Sequence, residues 1–446
     1  MTGRLEALLN DIGIAETVEQ VYGSRAQRTE TGIAETANIP DPGPGMGSVL
    51  NDNTGEEFNS IGDALDEVQE GETVLVGPGT YEESVSVLKD DVVLEGIDNP
   101  VIEGLCDEAV GIDLRGLSGI TIRGFTIQNF QNLVELRGSN NTIEHNILKG
   151  ITPDSPGFGE GSYDRSRRGV NLDGADNTLI QNNTIETCSR GIRLGGFGDK
   201  NNLVTENYFH ENFRGIAINS PANTIEDNQV LNSQAYSEAV EENVGSPSGI
   251  RTFDTGSEST IKGNTVKGSH GYGISIHGDG EDEISGNTVK DNDQAGIFIW
   301  DVDTGVTIEE NDIFENNWMG IRVLESEGHV IDNNQINDNG EFVEDDEFFS
   351  GVRLLESDNN EVTDNTLDEN YADGVLVWDS DDNVVTENDV ALRDDEFEKV
   401  FVLGDSEGNT IENNQKLEEG EDLSVHGDQE IEGNREPPEL PYPEEE

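Results

Sequence analysis

One short phrase, asparagine followed by a variable residue and then an aliphatic residue, recurs along most of the chain. The gaps between successive copies are 37, 24, 21, 36, 23, 24, 23, 31, 23 and 26 residues. A base period near 23 with a few longer gaps indicates a repeat protein, whose units stack on one another. The chain is therefore expected to be a solenoid. The marker asparagines are Asn146, Asn183, Asn207, Asn228, Asn264, Asn287, Asn311, Asn334, Asn365, Asn388 and Asn414.

A second phrase, glycine followed by alternating apolar residues, occurs once in most repeats. Examples are GVNL at 169, GIRL at 191, GIAI at 215, GISI at 273 and GVLV at 374. Alternation with a period of two is typical of a strand with one buried face. A single unit of two or three short strands cannot bury its apolar side. We therefore expect the units to stack with parallel strand pairing.

These two phrases together resemble the pectin-lyase-like superfamily of right-handed parallel β-helices, in particular its NosD-type branch. Residues 58–69, which begin FNSIGDALDEV, resemble the capping helix that opens this fold. The resemblance covers about residues 46–434. It implies an all-β, single-stranded right-handed parallel β-helix of about 12 coils with a short N-terminal helical segment. It says less about function, because the superfamily contains lyases, hydrolases, epimerases, adhesins and viral spikes.

Stacking would place each marker asparagine directly above the previous one, at the strand spacing of about 4.8 Å. We expect the side-chain amides to form a hydrogen-bonded ladder, with each other and with turn backbone. The alternative is that these asparagines only form turns.

The charge balance indicates the setting in which the protein works. The chain has 95 acidic and 25 basic residues, with a net charge of -70. Such a surface repels itself unless salt screens it, and the Debye length falls to about 3 Å in molar salt. We therefore infer a halophilic, haloarchaeal setting. Binding to nucleic acid or anionic membrane is not expected. The two cysteines, Cys106 and Cys188, are expected to be buried thiols.

The two ends of the chain differ from the repeats. Residues 4–22 have mostly helical apolar spacing, and a Pro/Gly linker follows at 39–47. We interpret residues 1–45 as a docking or oligomerising segment; the alternative is a frayed terminus on the first coil. Residues 435–446 are expected to form an acidic disordered tail. We find neither an export signal nor an apolar stretch long enough to span a membrane.

Three insertions, at 150–168, 232–248 and 338–350, enter just before the strand glycine. Insertions at one phase emerge on one side of a solenoid, which is often the binding side. Four aromatic residues in these insertions are candidates for stacking on sugars, although ordinary loop packing would also explain them: Tyr163, Tyr236, Phe348 and Phe349.

Arginines accompany the glycine phrase. Arg168, Arg190 and Arg214 each precede the glycine in successive repeats, and they should stack vertically. Further arginines occupy the outward position of the strand: Arg193, Arg251, Arg322 and Arg353. We expect a positive stripe on the insertion side, with an anionic-glycan site at Arg168, Arg190, Arg193 and Arg214 joined by Tyr163 and Tyr236. The alternative is salt bridging to neighbouring acidic residues.

Acidic runs follow several of the strands. Asp301, Asp303, Asp379 and Asp381 are the candidates for holding Ca²⁺ or Mg²⁺ through carboxylate oxygens. These runs lack the defined loop of an EF-hand, and solvation in high salt is the alternative explanation.

Two functions from different classes follow from these features. The first is a structural and adhesive spike of a haloarchaeal virus, on the virion surface or otherwise extracellular in high salt. It would be a homo-oligomer that binds host cell-surface glycans or an S-layer glycoprotein and docks on other virion proteins through residues 1–45. The second is a polysaccharide lyase, hydrolase or epimerase acting on anionic sugars. SHGYGISIHG, which contains His270, is similar to a polygalacturonase phrase, but the paired-aspartate phrases of those hydrolases are absent. Catalysis is therefore the less favoured reading.

Overall fold

The computed structural model describes residues 48–104, 109–151, 167–196, 199–234, 246–253, 258–278, 280–340, 349–393 and 400–414. Within them the chain is a parallel β-helix of about 12 turns, which confirms the expected fold class. The predicted docking segment, residues 1–45, and the predicted tail, residues 435–446, lie outside the described residues. So do Cys106, Tyr163, Tyr236 and Phe348.

Three sheets run along the β-helix, and each coil contributes one strand to each sheet in the order A, B, C. Sheet A contains, in spatial order, Glu56–Phe58, Val49–Asn51, Thr73–Val76, Val93–Gly96, Thr121–Arg123, Thr142–Glu144, Leu179–Gln181, Leu203–Thr205, Thr224–Glu226, Thr260–Lys262, Glu283–Ser285, Thr307–Glu309, Val330–Asp332, Glu361–Thr363, Val384–Thr386 and Thr410–Glu412. Sheet B contains Thr80–Tyr81, Val101–Glu103, Thr126–Gln128, Ile147–Lys149, Thr184–Glu186, Tyr208–His210, Gln229–Leu231, Thr265–Lys267, Thr288–Lys290, Asp312–Phe314, Gln335–Asn337, Thr366–Asn370 and Asp389–Leu392. Sheet C contains Val85–Ser86, Val110–Arg115, Asn132–Ser139, Arg168–Asp176, Arg190–Leu194, Arg214–Ile218, Ser248–Thr252, Tyr272–His277, Ile297–Trp300, Ile321–Leu324, Val352–Leu355, Val375–Trp378 and Val400–Leu403.

The core is a set of stacked aliphatic columns. In sheet A, Ile143, Ile180, Val204 and Ile225 are in register in successive coils, and all are fully buried. The flanking strand residues point outward, which is why the sequence alternates. Cys188 joins this core, and burial raises the pKa of its thiol, so it is an inert buried cysteine as predicted.

The marker asparagines form an unbroken ladder at the corner between sheets A and B. Each Nδ2 donates to the Oδ1 of the asparagine in the next coil at 2.9–3.1 Å. Each ladder asparagine follows a residue with positive φ, for example Glu206 (53°) before Asn207 and Asp227 (54°) before Asn228. A left-handed residue turns the chain sharply at some cost in strain, and the ladder holds that turn in place. The predicted ladder is confirmed.

The glycine at the start of most sheet C strands has a steric reason. A Cβ on Gly191 would lie 2.5 Å from the carbonyl oxygen of Gly215, and one on Gly215 would lie 2.7 Å from that of Gly249. The same contact continues up the stack to Gly351. Only glycine lets consecutive coils approach this closely at the corner between sheets B and C.

A short helix, α1, lies at the N-terminal end of the described β-helix. It spans Ile61–Glu67, within the predicted capping helix at 58–69, and Ser60 caps it by accepting a hydrogen bond from the N–H of Asp63 at 3.0 Å. The helix buries Ile61, Ala64 and Leu65. In the part of the chain that the structure describes, no helix is long and apolar enough to span a membrane.

Candidate functional site

The outward side chains of sheet C form a continuous surface, which we call the sheet C face. One register column on it runs through Asp113, Glu135, Asn171, Arg193, Ala217, Arg251, Ser275, Phe298, Arg322, Arg353, Leu376 and Phe401. A second column, two residues further along each strand, includes His277, Trp300, Leu324, Leu355 and Trp378. The three insertions lie in the chain between a sheet B strand and a sheet C strand, so their ends adjoin this face.

Arginine is concentrated in sheet C, and lysine is kept out of it. Twelve arginines fall within the described residues, and nine of them are in sheet C strands; none of the six described lysines is. Lysine and arginine carry the same charge, so charge balance does not explain this separation. Arginine differs in its planar fork and in its stacking on aromatic rings. The nine are Arg115, Arg137, Arg168, Arg190, Arg193, Arg214, Arg251, Arg322 and Arg353.

The predicted vertical stack of arginines before the glycine is confirmed by the strand register. Arg168 pairs with Arg190, and Arg190 pairs with Arg214. The stack is more enclosed than the expected open stripe, since Arg214 is only 5% exposed. Its guanidinium lies 5.0 Å from the ring centre of Phe213 and 5.4 Å from that of Phe253. Aromatic rings therefore cover part of the positive surface.

The arginines of the sheet C face divide into two groups by partner. Arg115 pairs with Asp113 at 2.5 Å, and Arg137 pairs with Asp173, as the salt-bridge alternative predicted. Arg193 instead donates through Nη1 to the carbonyl oxygen of Gly195 at 2.6 Å and to Oδ1 of Asn171 at 3.3 Å. Within the described part of the chain it has no carboxylate partner. Its positive charge is therefore positioned by neutral groups.

Towards the C-terminal coils the sheet C face becomes aromatic. Tyr272 stacks on Phe298 at 4.4 Å between ring centres, and His277 meets the edge of Trp300 at 4.7 Å. Arg251 lies 4.9 Å over Phe253. Sequence reasoning missed these rings, although the phrases GIFIW and GVLVW do place a tryptophan at the outward position that ends the strand.

Phe349, the one insertion aromatic within the described residues, packs rather than projecting outward. It is 7% exposed, lies in a small cluster with Ala295 and Met319, and stacks with Trp318 at 6.3 Å. The packing alternative accounts for this residue. The insertion tyrosines, Tyr163 and Tyr236, lie outside the described residues and stay predictions.

The candidate metal ligands lie in turns after sheet C strands, and two of them accept hydrogen bonds from the next coil. Oδ1 of Asp379 accepts from the N–H of Asp405 at 2.9 Å, and Oδ1 of Asp381 accepts from the N–H of Glu407 at 2.6 Å. Asp301 and Asp303 belong to a coil three strands away. Among the described residues, no group of three or more His, Cys, Asp or Glu side chains converges as a metal site requires. The Ca²⁺ or Mg²⁺ site stays a prediction.

Known proteins resemble this chain over much of its length. The chain is 24% identical over 315 residues to a cell surface glycoprotein of Methanothermus fervidus, a match covering 65% of the chain and 51% of that relative. It thus spans about half the length of the curated relative. Two solved structures share the fold with a TM-score of 0.51 each. The Dettilon tailspike protein is 14% identical, covering 73% of this chain and 61% of that one. A PL6 alginate lyase in complex with a trisaccharide is 18% identical, covering 80% and 82%.

Two family models match the sequence itself. The right handed beta helix region matches residues 248–416, and the model described as periplasmic copper-binding protein (NosD) matches residues 80–243 and 158–317. The NosD matches together extend over residues 80–317, more than half of the chain. The chain therefore belongs to the NosD family of right-handed parallel β-helix proteins.

Proposed function

We propose that this protein binds acidic polysaccharide at a cell or particle surface, along the sheet C face. The observation that carries the proposal is the concentration of arginine, interleaved with aromatic rings, on one face of a chain with 95 acidic residues. Guanidinium forks match carboxylate and sulfate groups, and aromatic rings stack on sugar rings. Lysines on the other sheets would serve charge balance, but they lack this geometry.

A polyanion has to approach a strongly acidic protein, so long-range attraction cannot guide it. In molar salt the Debye length is about 3 Å, and only groups in contact still interact electrostatically. Short bidentate hydrogen bonds from Arg190, Arg193 and Arg214 suit that regime. Salt that screens the self-repulsion of the chain would leave these contacts in place.

The relatives support a surface location for the proposed function. The Methanothermus fervidus relative is a cell surface glycoprotein, and one solved neighbour is a tailspike protein. Our finer proposal is an adhesive spike of a haloarchaeal virus, which binds host surface glycan or an S-layer glycoprotein. Residues 1–45 would dock on other virion proteins or assemble a homo-oligomer.

Binding to polygalacturonate or alginate immobilised on beads, in molar KCl, tests the glycan proposal. We expect the double variant Arg190→Ala, Arg193→Ala to lose at least about tenfold in retention, because two forks are removed. The matched control is Arg123→Ala with Lys262→Ala, which also removes two positive charges but from sheet A. Equal retention of the two double variants would show that the sheet C face does not bind the polysaccharide.

Light scattering in molar KCl tests the proposed role of residues 1–45. We expect the full chain to form a closed oligomer and a chain lacking residues 1–45 to be monomeric. If both are monomers, these residues do not oligomerise the protein.

A polysaccharide lyase, hydrolase or epimerase acting on the same polymer is the second candidate. It is favoured by the strand Tyr272–His277, which places a tyrosine and a histidine in the coil next to Arg251. These are residue types that can transfer protons to and from a sugar. Incubation with alginate, followed by measurement of chain length and uronate composition, distinguishes catalysis from simple binding.

A further inference from the structure

Arg322 lies in an unusual environment on the sheet C face. It is 4% exposed, and its guanidinium lies 5.1 Å from the ring centre of Phe298 in the preceding coil. It also donates a hydrogen bond to the side chain of Tyr272, whose ring stacks on Phe298. In the next coil the residue in register is another buried arginine, Arg353. Two arginine side chains thus occupy neighbouring positions, and each guanidinium lies over an aromatic ring.

No carboxylate within the described part of the chain pairs with Arg322. This sets it apart from Arg115, Arg123 and Arg137, which pair with Asp113, Glu95 and Asp173 respectively. Burial lowers the pKa of the Arg322 guanidinium, and the hydrogen bond that Arg322 donates to Tyr272 only opposes that effect. A buried charge without a counter-charge destabilises the folded chain, and a bound anion would recover much of this loss.

We propose that Arg322 is an anion subsite, which takes the carboxylate of one acidic sugar residue of the bound polysaccharide. The guanidinium would hold the carboxylate, while Phe298 and Tyr272 provide an apolar wall for the sugar ring. Tyr272 is partly exposed, and binding of the sugar would require its ring to move aside. This subsite rests on the proposed function, because it adds a second contact point for the same polymer.

The second contact point sets a length for the ligand. Arg193 and Arg322 are in sheet C strands five coils apart, or about 24 Å along the axis at the strand spacing. A single sugar acid cannot reach both guanidinium groups, but an oligosaccharide can. Linking two contacts in one ligand raises affinity through effective concentration. Affinity for acidic oligosaccharides should therefore rise steeply once the chain length spans this distance.

Tryptophan fluorescence provides a direct readout. The chain has three tryptophans, and all belong to the C-terminal coils of this side: Trp300, Trp318 and Trp378. We expect galacturonate oligomers to change the fluorescence of the full chain in molar KCl, whereas uncharged galactose oligomers of equal length do not. Arg322→Met should reduce affinity for the long acidic oligomers at least tenfold. The matched control Arg123→Met, on sheet A, should bind as the wild type does.

Stability separates recognition from a merely structural role. If Arg322 is an anion subsite, Arg322→Met should unfold in urea at the same concentration as the wild type or higher without ligand, because a buried charge is removed. If Arg322→Met fails to fold, Arg322→Lys is tested instead, because lysine keeps the charge but lacks the planar guanidinium. An affinity of Arg322→Lys for the long acidic oligomers equal to that of the wild type would then overturn the subsite. Normal binding by Arg322→Met, together with lost binding by Arg190→Ala, Arg193→Ala, would overturn the subsite alone. Failure of the wild type to bind any acidic oligomer would overturn both proposals.

Discussion

Two sides of the β-helix both place apolar side chains inward, but they differ in the residues at their corners and on their outer surfaces. Sheets A and B and the corner between them are uniform: one apolar column in each sheet, aliphatic in most coils, and one asparagine ladder of eleven rungs. Sheet C and its corners vary from coil to coil. Nine of the twelve described arginines lie in its strands, Phe298, Trp300 and Trp378 lie on its outer side, and the three insertions enter the chain between sheet B and sheet C strands. The uniform side holds the coils together, which leaves the varied side available for specialisation.

The corner between sheets C and A shows how this variation in residue type affects the stability of the fold. There too a side chain accepts a hydrogen bond from a backbone N–H of the preceding coil, but the type of the accepting residue changes along the stack. The accepting residues are Asn141, Asn202, Asn223, Ser259, Asp282, His329, Asn360 and Asn383. Two of these rungs titrate. Burial raises the pKa of Asp282 to about 7 and lowers that of His329 to about 4. A mixed ladder therefore makes stability depend on pH, and an all-asparagine ladder does not.

The largest loss of stability is expected from a substitution in the asparagine ladder between sheets A and B. Asn287 donates to the carbonyl of Ile261 at 2.8 Å and to Asn311 at 2.9 Å, and it accepts from the N–H and Nδ2 of Asn264. Asn287→Ala leaves several buried polar groups unsatisfied, and we expect a loss on the order of 4 kcal/mol in urea unfolding. The control is Gln335→Ala, which removes an exposed bond to Thr366 and should change little.

A somewhat smaller loss is expected where coils meet at the entry to sheet C. A Cβ on Gly273 would lie 2.6 Å from the carbonyl oxygen of Gly296. Gly273→Ala should therefore destabilise the protein by about 3 kcal/mol, because backbone has to move. Thermal unfolding monitored by circular dichroism measures it. Gly62→Ala in helix α1, where a Cβ meets only Oε2 of Glu83 at 3.3 Å, should be neutral or stabilising, and a similar loss there would contradict the steric explanation.

Replacing Asp282 of the ladder between sheets C and A with asparagine should stabilise the protein. The folded pKa of Asp282, about 7, lies above the ordinary value of 3.8, so the folded state retains a proton that the unfolded state releases. Stability is then greatest below pH 3.8 and is lost as the pH rises towards 7. Asp282→Asn removes this slope, and we expect a gain on the order of 2 kcal/mol at pH 8. Urea unfolding at pH 5 and pH 8 checks it; an equal effect at both would contradict the titration.

His329 should show the opposite slope. Its folded pKa of about 4 lies below the ordinary value of 6.5, so stability is present above pH 6.5 and is lost as the pH falls towards 4. Between these values the slopes of Asp282 and His329 oppose each other. His329→Asn should therefore expose a fall in stability with rising pH over this interval, by on the order of 2 kcal/mol. Unfolding curves for the two single variants and the double variant test this, and parallel slopes in the single variants would refute it.

The smallest expected effect is a change in polysaccharide binding when an arginine and a lysine are exchanged. Arg251→Lys keeps the charge but loses the planar group that stacks on Phe253, so we expect threefold to tenfold weaker binding to acidic polysaccharide, in the range of about 1 kcal/mol. Lys262→Arg, beside Glu226 on sheet A, should leave binding unchanged. Bead retention in molar KCl measures both variants. Equal effects would mean that only charge matters.

The repeat phrases alone were enough to predict the fold, the asparagine ladder and the vertical stack of Arg168, Arg190 and Arg214. A strict period leaves one way to stack the units, so every residue inherits its neighbour in the next coil from the sequence. What each side chain does with that neighbour was decided by the tertiary structure. The sequence could not show that Arg115 pairs with a carboxylate while, within the described part of the chain, Arg193 and Arg322 do not. Nor could it show that Asp282 and His329 are buried rungs of a ladder, because burial and partner choice depend on side-chain packing between coils far apart in the chain.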